Sequence, residues 1–340
     1  MIFLIDLISN QFIILLGPSS PIIEDLRSFR NGLDISWKSD ILSRQEKYVV
    51  KYVRNDTGRP ITINTTQPRA RLPNLYPGAG YVIKVFALSH GLLSEPHESF
   101  TAAYPNPPSN LIVEKVRGNK VTLKWNPPQD SLYTGYIIRY RPEPRESRQP
   151  RSWTEIPDIN DTEYTLNDLL HGEQYEIEVD SVSHRVLSGV PLSIIQIIEP
   201  EAIEAIVPIL DAENVTLTWP RPTGRVDFYH IKWHRLSNPD DIRTKDIPGY
   251  NLADDFEILI EGLHPGVEYL FEITTEAHNL LSETTRKSVR TMPLITSEIT
   301  VINQPEVTTA LTLRYTPTPL TSSLFDTYRY DIRFDFLRFY

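Results

Sequence analysis

Apolar and polar residues alternate along several short stretches of the chain. A period of two is typical of a β-strand that is buried on one face. The stretches are "LDISW" ending at Trp37, "VTLKW" ending at Trp125, "VTLTW" ending at Trp219 and a weaker "LTLRY" ending at Tyr315. A second apolar strand is predicted ten to fifteen residues after each of them, and it begins at Tyr48, Tyr136, Tyr229 and Tyr330.

The alternation belongs to a repeat of 94 residues (169 − 75 and 263 − 169). "LYPGAGYVIKVFALSHGLLSE" begins at Leu75, "LLHGEQYEIEVDSVSHRVLSG" at Leu169 and "LHPGVEYLFEITTEAHNLLSE" at Leu263. Each copy keeps a Leu, a Gly, a Tyr, a His and a Ser at matching places: Leu75/Leu169/Leu263, Gly78/Gly172/Gly266, Tyr81/Tyr175/Tyr269, His90/His184/His278 and Ser94/Ser188/Ser282. So many shared positions at one spacing indicate a repeated domain.

Each unit contains about seven short strands, which predicts an antiparallel sandwich of two sheets. Prolines separate the units, in "AAYPNPPSN" (102–110), near Pro200 and near Pro293. Proline has no amide donor and therefore belongs at strand edges and linkers. We expect domains at 18–104, 105–200 and 201–293, and a partial fourth at 294–340. The fourth stops after its third strand, so the chain is expected to be a piece of a longer protein.

Composition excludes several kinds of site. The 340 residues contain no cysteine, which excludes disulfides, thiolate nucleophiles, iron–sulfur clusters and Cys-ligated zinc. The formal charge of −10 argues against a nucleic-acid-binding protein, which needs a cationic surface. Without disulfides, each domain must be stabilised by core burial, which about 90–100 residues can supply.

The first seventeen residues begin with the apolar run "MIFLIDLISNQFIILL". Asp6, Asn10 and Gln11 interrupt it, and it is too short for a good membrane span. A signal peptide remains open, because Gly17 and Ser19 offer a small-x-small cleavage site although no basic residue precedes the run. The alternative is an unstructured start of the chain.

The repeated motifs together resemble the fibronectin type III domain. They are the Trp of the second strand, the strand of the form Tyr-x-(Val/Ile)-(Lys/Arg)-(Tyr/Trp), and Leu-x-(Pro/His)-Gly-x-x-Tyr, which resembles the family's tyrosine corner. The resemblance covers about residues 21–293 and implies an all-β chain of tandem, immunoglobulin-like sandwiches.

A narrower resemblance covers about residues 18–329. "SPIIEDLRSFRNGLDISWKSD", "YPGAGYVIKVFALSH", "RTMPLI" and "YTPTPLTSSLFDTYR" are similar to the ectodomain of insect receptor-type tyrosine phosphatases of the 10D kind. That family carries a long fibronectin array, one membrane span and a cytoplasmic phosphatase domain. The span and the catalytic Cys loop have no counterpart here, so this chain is not expected to be an enzyme.

The acids and bases of the repeated segment do not form a consistent catalytic set. His90, His184 and His278 have no repeated partner, and we predict that they belong to a hairpin turn. Glu268, Glu272 and Glu276 are not repeated, which is typical of outward positions that face solvent. No phosphate loop, His-Glu-x-x-His or Gly-x-Ser-x-Gly motif occurs, so we expect no catalytic, metal or cofactor site.

The repeated aromatic residues are predicted to serve the fold. The core positions are Trp37, Trp125 and Trp219, and the corner positions are Tyr81, Tyr175 and Tyr269. Trp153 is not repeated, and we predict a half-exposed sheet residue there, with a ligand platform as the alternative.

Four sequons for N-glycosylation occur, at Asn55, Asn64, Asn160 and Asn214. Several sequons in an extracellular type of architecture favour surface glycans on at least two of them. Asn214 borders a predicted strand and is the weakest candidate.

The segment "RYRPEPRESRQPR" (139–151) is rich in arginine. It contains Arg139, Arg141, Arg145, Arg148 and Arg151. One interpretation is a solvated loop with a charged edge that discourages strand aggregation. The other is a contact for an acidic protein or a sulfated glycan.

These features predict an extracellular chain that acts as spacer and ligand-binding surface of a cell-surface receptor. The expected partner is a protein on a cell surface or in the matrix, with a sulfated glycan as a further candidate; no nucleic acid and no membrane span are expected. A secreted matrix or adhesion protein is the alternative. An intracellular array of the muscle type is a third hypothesis.

Overall fold

A computed structural model gives the fold of residues 2–5, 12–15, 17–41, 43, 45–143, 152–249, 255–295, 299–302 and 312–329. All regular elements of these residues are β-strands. The all-β prediction is confirmed. The described parts of the chain include no helix that is long and apolar enough to cross a membrane.

The start of the chain contains a short hairpin. Its strands are β1 (Ile2–Ile5) and β2 (Phe12–Leu15), which pair antiparallel from Ile2 opposite Leu15 to Ile5 opposite Phe12. The two alternatives for residues 1–17, a signal peptide or an unstructured start, stay predictions. Both arms are rich in Ile, Phe and Leu, and such residues favour strand pairing.

The first domain is a sandwich of two sheets. One sheet has the order β3-β4-β7, and the other has the order β10-β8-β5-β6 with β9 also paired to β8. The strands are β3 (Ile22–Phe29), β4 (Gly32–Lys38), β5 (Lys47–Arg54), β6 (Pro60–Thr65), β7 (Arg69–Pro73), β8 (Gly80–Ser89), β9 (Leu92–Leu93) and β10 (His97–Ala102).

The second domain repeats this plan. Its sheets are β11-β12-β15 and β14-β13-β16-β17, with β18 also paired to β16. The strands are β11 (Ser109–Arg117), β12 (Lys120–Asn126), β13 (Gly135–Pro142), β14 (Thr154–Ile159), β15 (Glu163–Leu166), β16 (Gln174–Ser183), β17 (Val186–Leu187) and β18 (Leu192–Ile197).

The third domain repeats it again. Its sheets are β19-β20-β23 and β22-β21-β24-β25, with β26 also paired to β24. The strands are β19 (Val207–Leu210), β20 (Val215–Pro220), β21 (Phe228–Arg235), β22 (Asn238–Pro248), β23 (Asp255–Ile260), β24 (Glu268–Ala277), β25 (Leu280–Leu281) and β26 (Thr285–Arg290). Each domain thus has seven strands when the two parts of its last strand are counted as one.

A Trp–Tyr ring pair fills each core between the two sheets. Trp37, Trp125 and Trp219 are at most 3% exposed. Their ring centroids lie 5.2, 5.3 and 5.4 Å from those of Tyr48, Tyr136 and Tyr229, respectively. The alternating pattern places these rings inward, and removal of a buried ring of this size costs about 3–5 kcal/mol.

The partial fourth domain contains β27 (Ile299–Ile302) and β28 (Thr312–Tyr315). Its ring pair joins Tyr315 and Tyr328, whose centroids are 5.2 Å apart. The strand that the sequence pattern predicts from Tyr330 is not tested by this pair. Tyr330 lies outside the described residues.

The repeated tyrosines close a turn at the edge of each core. The hydroxyl of Tyr81 accepts a hydrogen bond from the Tyr76 amide at 2.9 Å, and that of Tyr269 accepts one from the His264 amide at 2.9 Å. Tyr175 is equally buried, at 4% exposed. The ring is thus buried while its hydroxyl satisfies a turn amide.

By their contacts the residues form two compact units. The first is Met1–Asp168 with Gln174–Gln196, and the second is Leu169–Glu173 with Ile197–Tyr340.

Candidate recognition surfaces

The outer face of the larger sheet in the second domain carries a ladder of ion pairs. Arg139 on β13 reaches two carboxylates of β16, with its Nη2 2.8 Å from Asp180 Oδ2 and 3.0 Å from Glu178 Oε2. The Asp180 side chain is 2% exposed and also accepts a 2.6 Å hydrogen bond from Ser188 Oγ. The buried carboxylate is therefore held by a cation and a hydroxyl, as a buried charge requires.

Glu178 of this ladder has a raised pKa. Partial burial raises its pKa, and the carboxylates of Asp180 and Glu176 raise the pKa further. Arg139 and Arg141 act in the opposite direction without cancelling the effect. Three acids in a row on one strand face thus depend on the two arginines of the next strand.

Arg141 connects the ladder to Trp153. Its Nε and Nη2 donate to Glu176 Oε2 at 2.9 and 2.7 Å, and its guanidinium carbon lies 4.2 Å from the centre of the Trp153 ring. Trp153 is half-buried and directly precedes β14. The ring therefore serves as a cation–π partner within the domain.

The predicted contact for an acidic partner includes Arg139 and Arg141. Arg139 and Arg141 are both engaged by carboxylates of their own domain, and Glu155 lies opposite Arg139 on the neighbouring strand. This face therefore does not offer two free cations. Arg145, Arg148 and Arg151 lie outside the described residues.

The matching face of the third domain carries a histidine between two carboxylates. His230 on β21 places Nδ1 2.8 Å from Asp246 Oδ1 on β22 and Nε2 2.5 Å from Glu276 Oε2 on β24. Partial burial by itself lowers the pKa of His230, but the hydrogen bonds and charges of Asp246 and Glu276 outweigh it and raise the pKa. His230 therefore bridges three strands, and its two carboxylate partners favour the charged form of the ring.

Sequence reasoning missed this cluster. Asp246 and Glu276 are 16 and 46 residues from His230, and they meet it only through the strand register, in which His230 is opposite Asp246 on one side. The only available signal was that Glu276 is an unrepeated residue. We assigned it to solvent, whereas the structure pairs it with His230.

The three repeated histidines lie in hairpin turns, as the repeat predicted. His90, His184 and His278 have φ angles of 48°, 48° and 50°, and the next residue in each turn also has a positive φ. Two successive left-handed residues are typical of the tight turn that joins antiparallel strands. The side chains have different neighbours: Phe100 contacts the ring of His184, and Arg225 that of His278.

The repeated serines also serve the fold. Ser94 Oγ accepts a hydrogen bond from the Ala87 amide at 2.9 Å, and Ser282 Oγ accepts one from the Thr275 amide at 3.0 Å. These bonds form where the last strand of each domain is interrupted, between β9 and β10 and between β25 and β26. The serine satisfies an amide that the interruption would leave unpaired.

The sequons differ in accessibility. Asn55 lies in a turn, Asn64 on the edge strand β6 and Asn160 directly after β14, and all three are exposed. Asn214 is half-buried, and its Nδ2 donates to Asp211 Oδ2 at 3.3 Å. The first three asparagines therefore present their amide nitrogens better than the fourth.

The clefts differ in their lining, and one in the first unit is lined by Asp25, Asp34 and Arg71 among others. Another cleft of about 310 Å³ in the first unit is lined by Arg30, Tyr104, Pro105, Val190 and neighbours, which include no carboxylate and no histidine. Among the described residues, no group of three or more His, Asp or Glu side chains is arranged to hold a metal ion.

Comparison with known families agrees with the fold. The sequence profile of the fibronectin type III domain matches residues 25–102, 106–192 and 199–290. The chain belongs to the fibronectin type III family. The three matched segments correspond in number to the three whole domains expected from the repeat, and the third begins at residue 199, two residues before the expected boundary.

The chain matches only part of the length of each individual relative. The chain is 25% identical to human Tenascin-N over 73% of its residues, and 25% identical to rat Neogenin over 75%. It spans about a fifth of each relative, 18% and 20% respectively. A two-domain fibronectin type III segment from chicken tenascin is 21% identical, with a TM-score of 0.46, and covers 55% of this chain and all of that one.

Proposed function

We propose that this chain is a non-catalytic, extracellular recognition and spacer segment. One observation carries the proposal: the three domains share a buried Trp–Tyr pair and corner tyrosine, but the second and third carry different charged clusters on their outer sheet faces. Similar cores provide repeated supports, and different faces provide distinct contact surfaces. Fibronectin repeats like these occur in extracellular matrix and adhesion proteins.

The parent protein is proposed to be a cell-surface receptor. The resemblance of residues 18–329 to phosphatase ectodomains supports this assignment, and a matrix or adhesion protein is the second candidate. The coding sequence after Tyr340 distinguishes them. A membrane span followed by a His-Cys-x-x-Gly-x-x-Arg motif identifies the receptor, and a continuation without either identifies the matrix protein.

The proposed partner is a protein of a neighbouring cell or of the matrix. The carboxylates around Arg139 and Arg141 make a sulfated glycan the weaker candidate. A fluorescent tetramer of the full chain should bind cells, and protease treatment of those cells should abolish binding. Removal of cell-surface heparan sulfate should leave it unchanged; binding that depends only on the sulfate would contradict this choice of partner.

Secretion provides a direct test of the extracellular assignment. When the full chain is expressed through a eukaryotic secretory pathway, we expect glycan mass on at least two of the exposed Asn55, Asn64 and Asn160. Intact-mass measurement before and after enzymatic deglycosylation checks it, with single Asn→Gln variants to locate each glycan. A secreted chain without glycan at any of the four sequons would contradict the proposal and favour an intracellular array.

A further inference from the structure

Each domain contains two left-handed backbone positions, four residues apart, in the turn before the corner tyrosine. The first is Asn74, Asp168 or Gly262, with φ between 56° and 71°. The second is glycine in every copy: Gly78, Gly172 and Gly266, with φ of 71°, 67° and 72°. Since Asn and Asp adopt the same left-handed φ at the first position, φ alone does not explain the invariant glycine at the second.

The space around these positions explains the difference. A Cβ at Gly262 would meet nothing within 4 Å. A Cβ at Gly78 would lie 1.7 Å from the carbonyl oxygen of Leu132, and one at Gly266 would lie 1.7 Å from that of Leu324. Only glycine lets these two backbones approach so closely.

A backbone hydrogen bond accompanies each close approach. The Leu132 amide donates to the Pro77 carbonyl at 3.0 Å, and the Leu324 amide donates to the Pro265 carbonyl at 3.1 Å. Gly172, in the second unit, shows the same close approach, between its Cβ position and the Arg225 carbonyl oxygen. The Arg225 amide also donates a hydrogen bond to the His171 carbonyl at 2.9 Å. The donor always lies four residues before the tyrosine of the core ring pair, which is Tyr136, Tyr229 or Tyr328.

In each unit, a side chain also donates a hydrogen bond to the carbonyl of the turn glycine, Gly78 or Gly266. In the first unit, Ser183 Oγ donates to the Gly78 carbonyl at 2.6 Å, and Ser183 is 1% exposed. In the second unit, Arg290 Nε donates to the Gly266 carbonyl at 2.9 Å and Arg290 Nη1 lies 2.8 Å from Asp326 Oδ2. The glycine carbonyl is therefore satisfied through a different side chain in each case.

We infer that the glycine turns at 77–78 and 265–266 are docking surfaces for the loop that precedes the core tyrosine of the following fibronectin domain. The contact is made between backbones, so the loop residue is free to vary from leucine to arginine. The first domain is held against the second at Gly78, and the third is held against the partial fourth at Gly266. The glycine therefore determines how successive domains are joined, a property beyond ligand recognition.

The test uses the full chain and amide hydrogen exchange measured by NMR. Gly266→Asn adds a side chain that left-handed φ tolerates but the contact does not, and Gly262→Asn is the matched control at nearly the same φ. We expect exchange of the Leu324 amide to become about tenfold faster in the first variant and to change less than about twofold in the control. Equal exchange in both variants would overturn the inference.

If Gly266→Asn unfolds the third domain, the amides of β24 will lose their protection. A second variant keeps the inference testable in that case. Ser183→Ala removes the bond to the Gly78 carbonyl, and alanine is compatible with the fold because Ala277 holds the equivalent place in the third domain. We expect the Leu132 amide to exchange a few times faster while the amides of β8 and β16 stay protected. An unchanged Leu132 rate would then overturn the inference.

Discussion

The outer sheet faces of the second and third domains use different chemistry on the same framework. In the second domain, Arg139 of β13 is paired with Asp180, whose side chain is 2% exposed. In the third, His230 of β21 is paired with Asp246 and Glu276, and its own side chain is 25% exposed. One face carries a charge that persists at every physiological pH, and the other a charge that titrates.

This difference teaches that the repeat constrains the inward positions and leaves the outward ones free. The ring pairs Trp125–Tyr136 and Trp219–Tyr229 are nearly superimposable in spacing, at 5.3 and 5.4 Å. The clusters outside them both contain carboxylates, but the cationic residue is arginine in one and histidine in the other. Recognition that depends on one domain is therefore expected to respond to mutation and pH unlike recognition that depends on the other.

The largest effect is expected at Arg139. Arg139→Ala leaves the carboxylate of Asp180 buried without its cation, which should lower the stability of the second domain by about 3 kcal/mol. Arg141→Ala, two residues along the same strand, should cost about 0.5 kcal/mol because its partner Glu176 is 40% exposed. Hydrogen exchange of the β13 and β16 amides in the full chain measures both.

A double variant sharpens that test. Asp180→Thr introduces the residue type of Thr274, which holds the same place in the third domain. Combined with Arg139→Ala, it should recover much of the lost protection because no buried charge remains. Equal losses for Arg139→Ala and Arg141→Ala would show that burial of Asp180 does not set the energy.

The next effect concerns pH and belongs to the third domain. The folded state raises the pKa of His230 above its usual value of 6.5, so its stabilisation is full below that value. The stabilisation should be lost as the pH rises through the raised pKa, and its size should be about 0.5–1 kcal/mol, as for other partly exposed pairs. Urea titrations of wild type and His230→Gln between about pH 6 and pH 9 measure the difference.

The amides of β21 and β24 report this transition specifically. In His230→Gln the pH dependence over this range should be flatter, while protection in the second domain should remain unchanged. If wild type and variant lose protection in parallel as the pH rises, the His230 cluster does not contribute.

The smallest effect is expected at Trp153. Trp153→Leu keeps an apolar side chain but removes the ring beneath Arg141, which should cost about 0.5 kcal/mol. Exchange at β14 should rise slightly, with Arg141→Lys as a control that keeps the charge but loses the planar guanidinium. A loss of several kcal/mol would show that Trp153 is a core residue instead.

Particular residues show how far the sequence was predictive. Alternation in "VTLKW" and its counterparts identified the strands, and the repeat identified the turns at His90, His184 and His278, because both are local properties. The ring pair of Tyr315 and Tyr328 was not predicted, since the loop before Tyr328 has no alternation to set its length. The cluster at His230 was missed because its members come from three separate strands.

Sequence by itself determined the β-sandwich, its repetition and the inward aromatic residues. The reason is that the 94-residue repeat and the two-residue alternation are both visible in the linear sequence. Only the tertiary structure decided which outward charges meet and why Gly78 and Gly266 are invariant. Those answers depend on distances between backbones that are far apart in sequence, such as the Cβ position of Gly266 and the carbonyl oxygen of Leu324.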